Sequence, residues 1–455
     1  MVIIRKLVEN KQPRRGDPDG VGEARWRIPI GRDVWDELRK PERYDESSWD
    51  GKRFQSIYGV PARMFDELVA EAAKHPTLCK KVTWGDGVKG PLPKPLELKV
   101  AAVLETCQAG LLFKTAERLY KISACTLEAF FHEFMRLQVL HEYSKHVYIP
   151  TERHDIDSNL KMHAPAMGTP GLISLVDGVK QQWLGCSHAE RFVNTGKEGK
   201  PTRLWNVAGN AKKIIHHVHG SHPGARNDMT ASLFDEYLQA IKTGRLYADE
   251  EFELFGADGH AHTHKGLYAG TDNGYHRWRI LQCPSKVGQD KWLKRWSKRI
   301  ESIRKPGSEC IFGILKKRFR ALALPCPYRD ACKVDNQFRF LCSLHNRLQR
   351  HYGLDTIGDL PGDWTIANTE TDLDRIALQC NRTTGELPHM VDDAGVGNVI
   401  TPEYESSWSS LRSALVEHFK VQWEKNEIFW PKKATDCRPS YRLDPAVRRT
   451  GLSGM

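Results

Sequence analysis

At 455 residues, 40% hydrophobic and with a mean hydropathy of −0.54, the chain has length for two or three globular domains, and the lack of any eighteen-residue apolar run argues against a membrane-spanning helix. The net charge is +11, from 68 Lys and Arg against 57 Asp and Glu, and it is concentrated: between His276 and Arg320 fourteen basic residues stand against Asp290, Glu301 and Glu309. The eleven cysteines form no Cys-x-x-Cys pair and the start, Met1-Val2-Ile3-Ile4-Arg5-Lys6-Leu7, lacks a signal-peptide core, so reduced thiols in the cytosol or nucleus are expected rather than a disulfide framework.

Residues 1–30 are polar and rich in Gly and Pro, which predicts an ill-ordered basic arm. A helical domain is expected over 31–150, beginning with helices between Trp35 and Lys74 and interrupted by a proline-rich linker from Gly85 to Pro95. Within it, Leu96, Val100, Val103 and Leu104 share one helical face, while Ala116, Leu119 and Tyr120 mark a second helix. The short link Lys121-Ile122-Ser123 then offers Ser123 as a cap for a helix carrying Leu127, Phe130, Phe131 and Phe134. Over 96–140 this is the outline of a helix-turn-helix, or of a plain helical hairpin, and the second helix has few basic residues.

From Gly171 the pattern changes to strands. Leu172–Val176, Trp183–Cys186, Leu204–Ala208 and Ile214–Val218 read as successive strands, Met229–Ile241 as a helix and Phe252–Ala257 as a further strand. Three antiparallel strands, a helix, another strand and a terminal helix are the order of a ribonuclease-H-like α/β core, a mixed sheet flanked by helices, expected over 165–350. Residues 351–455 form a C-terminal extension with an amphipathic helix over 406–429 and a loose basic tail.

Three acids fall where metal-dependent phosphodiester chemistry needs carboxylates. Asp177 ends the first strand, Asp258 ends the run Phe252–Ala257, and Glu309 opens the helical stretch Glu309–Phe319. Two Mg²⁺ or Mn²⁺ ions roughly 3.5–4 Å apart need such oxygen ligands to activate a water or a 3′-hydroxyl and to stabilise the leaving oxygen. Asp177 is the natural bridging ligand, with Asp258 on one ion and Glu309 on the other. Taken singly, each acid also fits a turn or a helix start. Asp228, just before a helix, is an outer-shell or alternative acid. The histidines at 216, 217, 219, 222, 260, 262 and 264 admit a zinc reading, although no His-Glu-x-x-His helix is present. Arg277, Arg279, Lys291, Lys294, Arg295, Lys298, Arg299, Lys316, Lys317 and Arg318, interleaved with Trp278, Trp292 and Trp296, are the expected contacts to double-stranded DNA: cations for phosphates, aromatics for sugar or base.

In chain order these segments resemble the DDE transposases of the PIF/Harbinger superfamily, in its plant transposon protein branch. Leu175-Val176-Asp177-Gly178-Val179 resembles the first-strand motif, and His222-Pro223-Gly224-Ala225-Arg226-Asn227-Asp228 the Pro-Gly-Ser-x-x-Asp turn. Ala257-Asp258-Gly259 resembles the second metal-binding Asp, which is usually followed by Gly and Tyr. The run from Ser308 to Phe319 resembles the Glu-bearing helix that continues Phe-Gly-x-Leu-Lys-x-Arg-Phe, the most specific of these motifs. Cys342-Ser343-Leu344-His345-Asn346 and Leu411–His418 resemble two later helices. Departures are Pro306-Gly307 just before Glu309, Cys310 in place of Arg, and His260 in place of Tyr. The resemblance implies a nuclear cut-and-paste transposase, a homo-oligomer that pairs DNA ends, and a Myb-like partner protein. A domesticated, non-catalytic DNA-binding scaffold on the same fold is the alternative.

Overall fold

The computed structural model describes residues 32–79, 94–163, 167–285, 290–356, 358–359, 361–369, 371–373 and 403–431. The expected N-terminal arm, most of the Gly85–Pro95 linker and the basic tail lie outside the described residues. The chain divides into two compact units, Met1–His141 with Arg318–Ala321, and Glu142–Lys317 with Leu322–Met455.

The first unit is helical: α1 (Arg32–Arg39), α2 (Trp49–Tyr58), α3 (Ala62–Ala73), α4 (Leu96–Ala109), α5 (Phe113–Tyr120) and α6 (Ala124–His141). Helix α4 is buried on nearly every side, from Leu98 through Leu104, because α2, α3, α5 and α6 all pack on it. Ala116 and Tyr120 turn inward from α5 at i, i+4 spacing, whereas Leu119 is exposed. Lys121 takes a left-handed conformation that ends α5, and Ser123 Oγ accepts the Thr126 N–H at 3.3 Å.

The second unit is a mixed α/β structure around a five-stranded sheet of order β3-β2-β1-β6-β7. Its strands are β1 (Leu172–Gln182), β2 (Thr202–Gly209), β3 (Ile215–Pro223), β6 (Tyr268–Gly270) and β7 (Leu281–Gln282); β4 (Glu251–Phe255) and β5 (Ala261–Lys265) form a separate ribbon. β1, β2 and β3 are antiparallel neighbours, while β6 runs parallel to β1 and β7 parallel to β6. The flanking helices are α7 (Arg153–His163), α8 (Asp228–Phe234), α9 (Glu236–Lys242), α10 (Lys291–Gly307), α11 (Glu309–Arg318), α12 (Ala331–His351) and α13 (Ser406–Glu424). Helices α7 and α10 pack on β1, and α12 packs on β3. Leu172, Ile173, Leu175 and Val176 of β1 are buried in this core with Tyr268, Trp278, Trp296, Ile300 and Ile303. Each such aliphatic side chain contributes about 1.5–3 kcal/mol by leaving water.

Several sequence expectations change. β1 does not stop at Val176: Asp177 to Gln182 stay in register with Val207 to Thr202, so Asp177-Gly178 is mid-strand and not a turn. Trp183 extends β1 only by a single bridge to Cys326, so Trp183–Cys186 is no strand of its own. The helix expected over Met229–Ile241 breaks at Asp235, whose carboxylate accepts the N–H groups of Tyr237 and Leu238 and so caps α9. Phe252–Ala257 pairs with β5 alone, and the sheet's fourth strand is β6 instead. Helix α13 ends at Glu424, and Phe429 enters a strand, β9 (Phe429–Pro431), paired with β8 (Trp364–Ile366). Leu411, Leu415 and Phe419 of α13 are buried in the sheet's core, so this segment is part of the unit and no mere extension.

Candidate active site

The parallel pairing of β1 with β6 sets Leu175 opposite Gly270. Asp177 lies two residues further along β1, and Asp272 two residues past the end of β6, close enough to act on the Asp177 carboxyl. Asp228, the first residue of α8, leans against the same place. A Cβ on Gly178 would lie 2.2 Å from its Oδ1, and one on Gly274 would lie 3.5 Å from its Oδ2 and 3.0 Å from Asp272 Oδ1. Glycine at 178 is thus what allows the Asp228 carboxylate to close over β1. Glu309, opening α11, reaches the cluster through Arg304 near the end of α10.

Arg304 is the buried counter-ion. Its guanidinium donates to Asp177 Oδ2 at 3.2 Å, Glu309 Oε1 at 2.7 Å and Glu301 Oε1 at 3.0 Å, and only 6% of the side chain is exposed. Burial opposes its charge, but these three carboxylates hold its pKa well above the usual value. The acids are out of balance even so. Burial, then repulsion from Asp272, Asp228 and Glu309, pushes the Asp177 carboxyl well above the ordinary range despite Arg304. Burial and Asp272 raise Asp228 to about 6. Five carboxylates, Asp177, Asp228, Asp272, Glu301 and Glu309, around the Arg304 guanidinium make a site that gains from an added cation. The carboxylates are not drawn to a single point: among the described residues, the one His/Cys/Asp/Glu group whose ligand atoms all lie within 4.8 Å of one another is elsewhere, and here Arg304 stands between Asp177 and Glu309.

Residues 145–351 match the family model described as plant transposon protein. The matched segment carries every acid of the cluster, from Asp177 on β1 to Glu309 on α11, and it ends with α12. It spans less than half of the 455 residues, so similarity to this family is a property of the sheet-bearing segment. No curated protein and no solved structure matches the chain.

Of the acids singled out from sequence, Asp177, Asp228 and Glu309 come together and Asp258 does not. Asp258 sits at the tip of the β4–β5 ribbon, half exposed, and its carboxylate accepts from the His260 N–H and lies 3.1 Å from His262 Nε2. The acid that joins Asp177 is Asp272, which sequence reading passed over. A signal was available: Asp272-Asn273-Gly274-Tyr275 places Gly and Tyr just after the acid, whereas Asp258-Gly259 is followed by His260.

The basic segment also sorts itself. Lys291, Lys294 and Lys298 are exposed along α10, and Arg295 lies over Trp292 and Trp423. Arg299, in contrast, is fully buried, donating to the carbonyls of Met167 and Phe429, and burial depresses its pKa to about 9. It is a structural residue. Arg277 and Arg279 are half-buried; Arg277 donates to the Tyr275 carbonyl and Arg279 to those of Gly266 and Lys265. Lys316 lines a small cleft with Trp205, Phe312 and Phe338, while Lys317 is exposed and Arg318 half-buried. Trp278 and Trp296 are buried in the core, so neither is placed to touch a base. The alternation of Trp292 and Trp296 with basic residues is the periodicity of the amphipathic helix α10.

Proposed function

We propose that the chain is a divalent-metal-dependent DNA nuclease and strand transferase of the transposase type. The observation that carries this reading is the grouping of Asp177, Asp272 and Glu309, with Asp228 alongside, around Arg304 beside the parallel β1–β6 pair. The sheet order β3-β2-β1-β6-β7, three antiparallel strands followed by two parallel ones, supports a ribonuclease-H-like core. The donor set is all oxygen, mostly sheltered and over-charged with carboxylate, which suits two Mg²⁺ or Mn²⁺ ions. Asp177, Asp272 and Glu309 would hold them, with Asp228 able to orient a bound water. Such ions supply an activated oxygen nucleophile and stabilise the leaving oxygen.

The chain's own residues then do the positioning. Arg304 holds Asp177 and Glu309 to one place through its ion pairs, and its pair with Glu301 would tether it if a cation were bound. Lys291, Lys294 and Lys298 occupy one exposed face of the helix that carries Arg304, a suitable track for a phosphate backbone. The Ser123-capped helix pair of the first unit is the helix-turn-helix candidate for reading DNA ends. A nuclear site of action, a homo-oligomer and a Myb-like partner belong to the same proposal.

Nicking of supercoiled plasmid in Mn²⁺ tests it. Asp177→Asn, Asp272→Asn and Glu309→Gln should each reduce nicking to background, and Asp258→Asn should retain it. Activity that survives Asp272→Asn but is lost in Asp258→Asn would overturn the assignment.

A further inference from the structure

A second cluster lies at the β3 edge of the sheet, where β3 meets the junction of α8 and α9. Strand alternation puts His217 and His219 on one face of β3, their rings 6.3 Å apart and 16° from parallel, while His216 and Val218 face the other way and are buried. The break at Asp235 delivers two carboxylates to the same spot, Asp235 as the cap and Glu236 as the first residue of α9. Ligand atoms of His217, His219, Asp235 and Glu236 all lie within 4.8 Å of one another.

We propose that His217, His219 and Glu236, backed by Asp235, form a binding site for a zinc-class transition-metal cation, separate from the acidic cluster. For metal–ligand bonds of about 2.0–2.1 Å, a tetrahedron sets its ligand atoms about 3.3–3.4 Å apart. His217 Nε2 lies 3.4 Å from Asp235 Oδ1 and 3.5 Å from Glu236 Oε1. His219 Nδ1 is in direct contact with Glu236 Oε2. A second observation points to a ligand: His217 Nε2, the atom that faces Asp235 and Glu236, is buried without a hydrogen-bond partner. An unsatisfied imidazole nitrogen under cover is what a cation would satisfy. Two imidazoles with carboxylate select zinc, cobalt or nickel over magnesium, which prefers oxygen alone.

The support around the ligands is also in place. Asp235 accepts the Tyr237 and Leu238 N–H groups on Oδ1 and the Asn206 side-chain amide on Oδ2 at 2.8 Å, so it cannot swing away. Asn206 in turn accepts the Tyr275 hydroxyl at 2.5 Å, three residues beyond Asp272. A buried hydrogen-bonded chain, Asp235–Asn206–Tyr275, therefore joins the metal site to the strand end that carries an acid of the first cluster. Glu236 remains accessible, with 63% of its side chain exposed, which leaves an entry path for the ion.

The test uses tag-free full-length protein carrying Asp177→Asn and Glu309→Gln to silence the acidic cluster, stripped with chelator and titrated with Co²⁺. One saturating equivalent with visible ligand-field bands is expected, displaced by Zn²⁺ and untouched by millimolar Mg²⁺. His219→Gln and Glu236→Gln, checked for folding by circular dichroism, should each weaken Co²⁺ binding at least ~10-fold. Glu236 is a surface residue, so its variant guards against a loss due to misfolding. No saturable Co²⁺ signal, binding unchanged in both folded variants, or competition by Mg²⁺ would each overturn the proposal.

Discussion

Asp228→Asn is the most informative single substitution, because its effect on stability has a sign and a pH window. In the folded protein burial and Asp272 raise the Asp228 carboxyl to about 6, against about 3.9 in an unfolded chain. Below pH ~4 both states hold the proton and the group contributes nothing. As pH rises from ~4 to ~6 the unfolded chain ionises first, so the fold loses stability across that window and the loss then stays constant. Two pKa units correspond to about 3 kcal/mol. The side chain keeps some contact with solvent, which trims the expected effect to about 1.5–2 kcal/mol. Asparagine has the same shape and cannot ionise. Urea unfolding in chelator should therefore find Asp228→Asn equal to the parent at pH 4 and more stable by about 1.5–2 kcal/mol at pH 7.5. A variant no more stable than the parent at pH 7.5 would refute the view that this cluster is electrostatically strained without a cation.

Three further outcomes are expected. Gly178→Ala should displace the Asp228 carboxylate, since its Cβ would stand 2.2 Å from Oδ1; nicking should fall and urea unfolding should register a loss of about 1–3 kcal/mol. Replacing Lys291, Lys294 and Lys298 together by Ala should flatten the salt dependence of DNA binding, by about 0.9 in log–log slope for each lysine that meets a phosphate; an unchanged slope would remove α10 from the DNA track. Trp296→Ala should cost about 3–5 kcal/mol by thermal or urea unfolding, because that ring is fully buried; a surface-like loss below ~1 kcal/mol would restore it as a DNA contact.

Local pattern was enough to locate β1, the cores of β2 and β3, the capped helix pair of the first unit, and Asp177, Asp228 and Glu309. Each of these is written in neighbouring residues: an apolar run, a Ser or Asn before a helix, an acid at a helix start. The same local logic failed at Asp258 and Asp272. Phe252–Ala257 has a stronger strand pattern than Tyr268–Gly270, yet it pairs only within its own ribbon, while the three-residue β6 docks in parallel beside β1. A strand that short owes its existence to its partner, so no periodicity of its own announces it. Burial was equally invisible along α10: the order of Lys, Trp and Arg fixes an amphipathic helix, but only packing against β1 and α13 decides that Trp296 and Arg299 turn inward while Lys294 and Lys298 stay in water. Sequence by itself determined which residue types were available for metal chemistry and roughly where. Tertiary structure decided which of them meet, because the packing of distant strands and helix ends, and not distance along the chain, sets which carboxylates share a site.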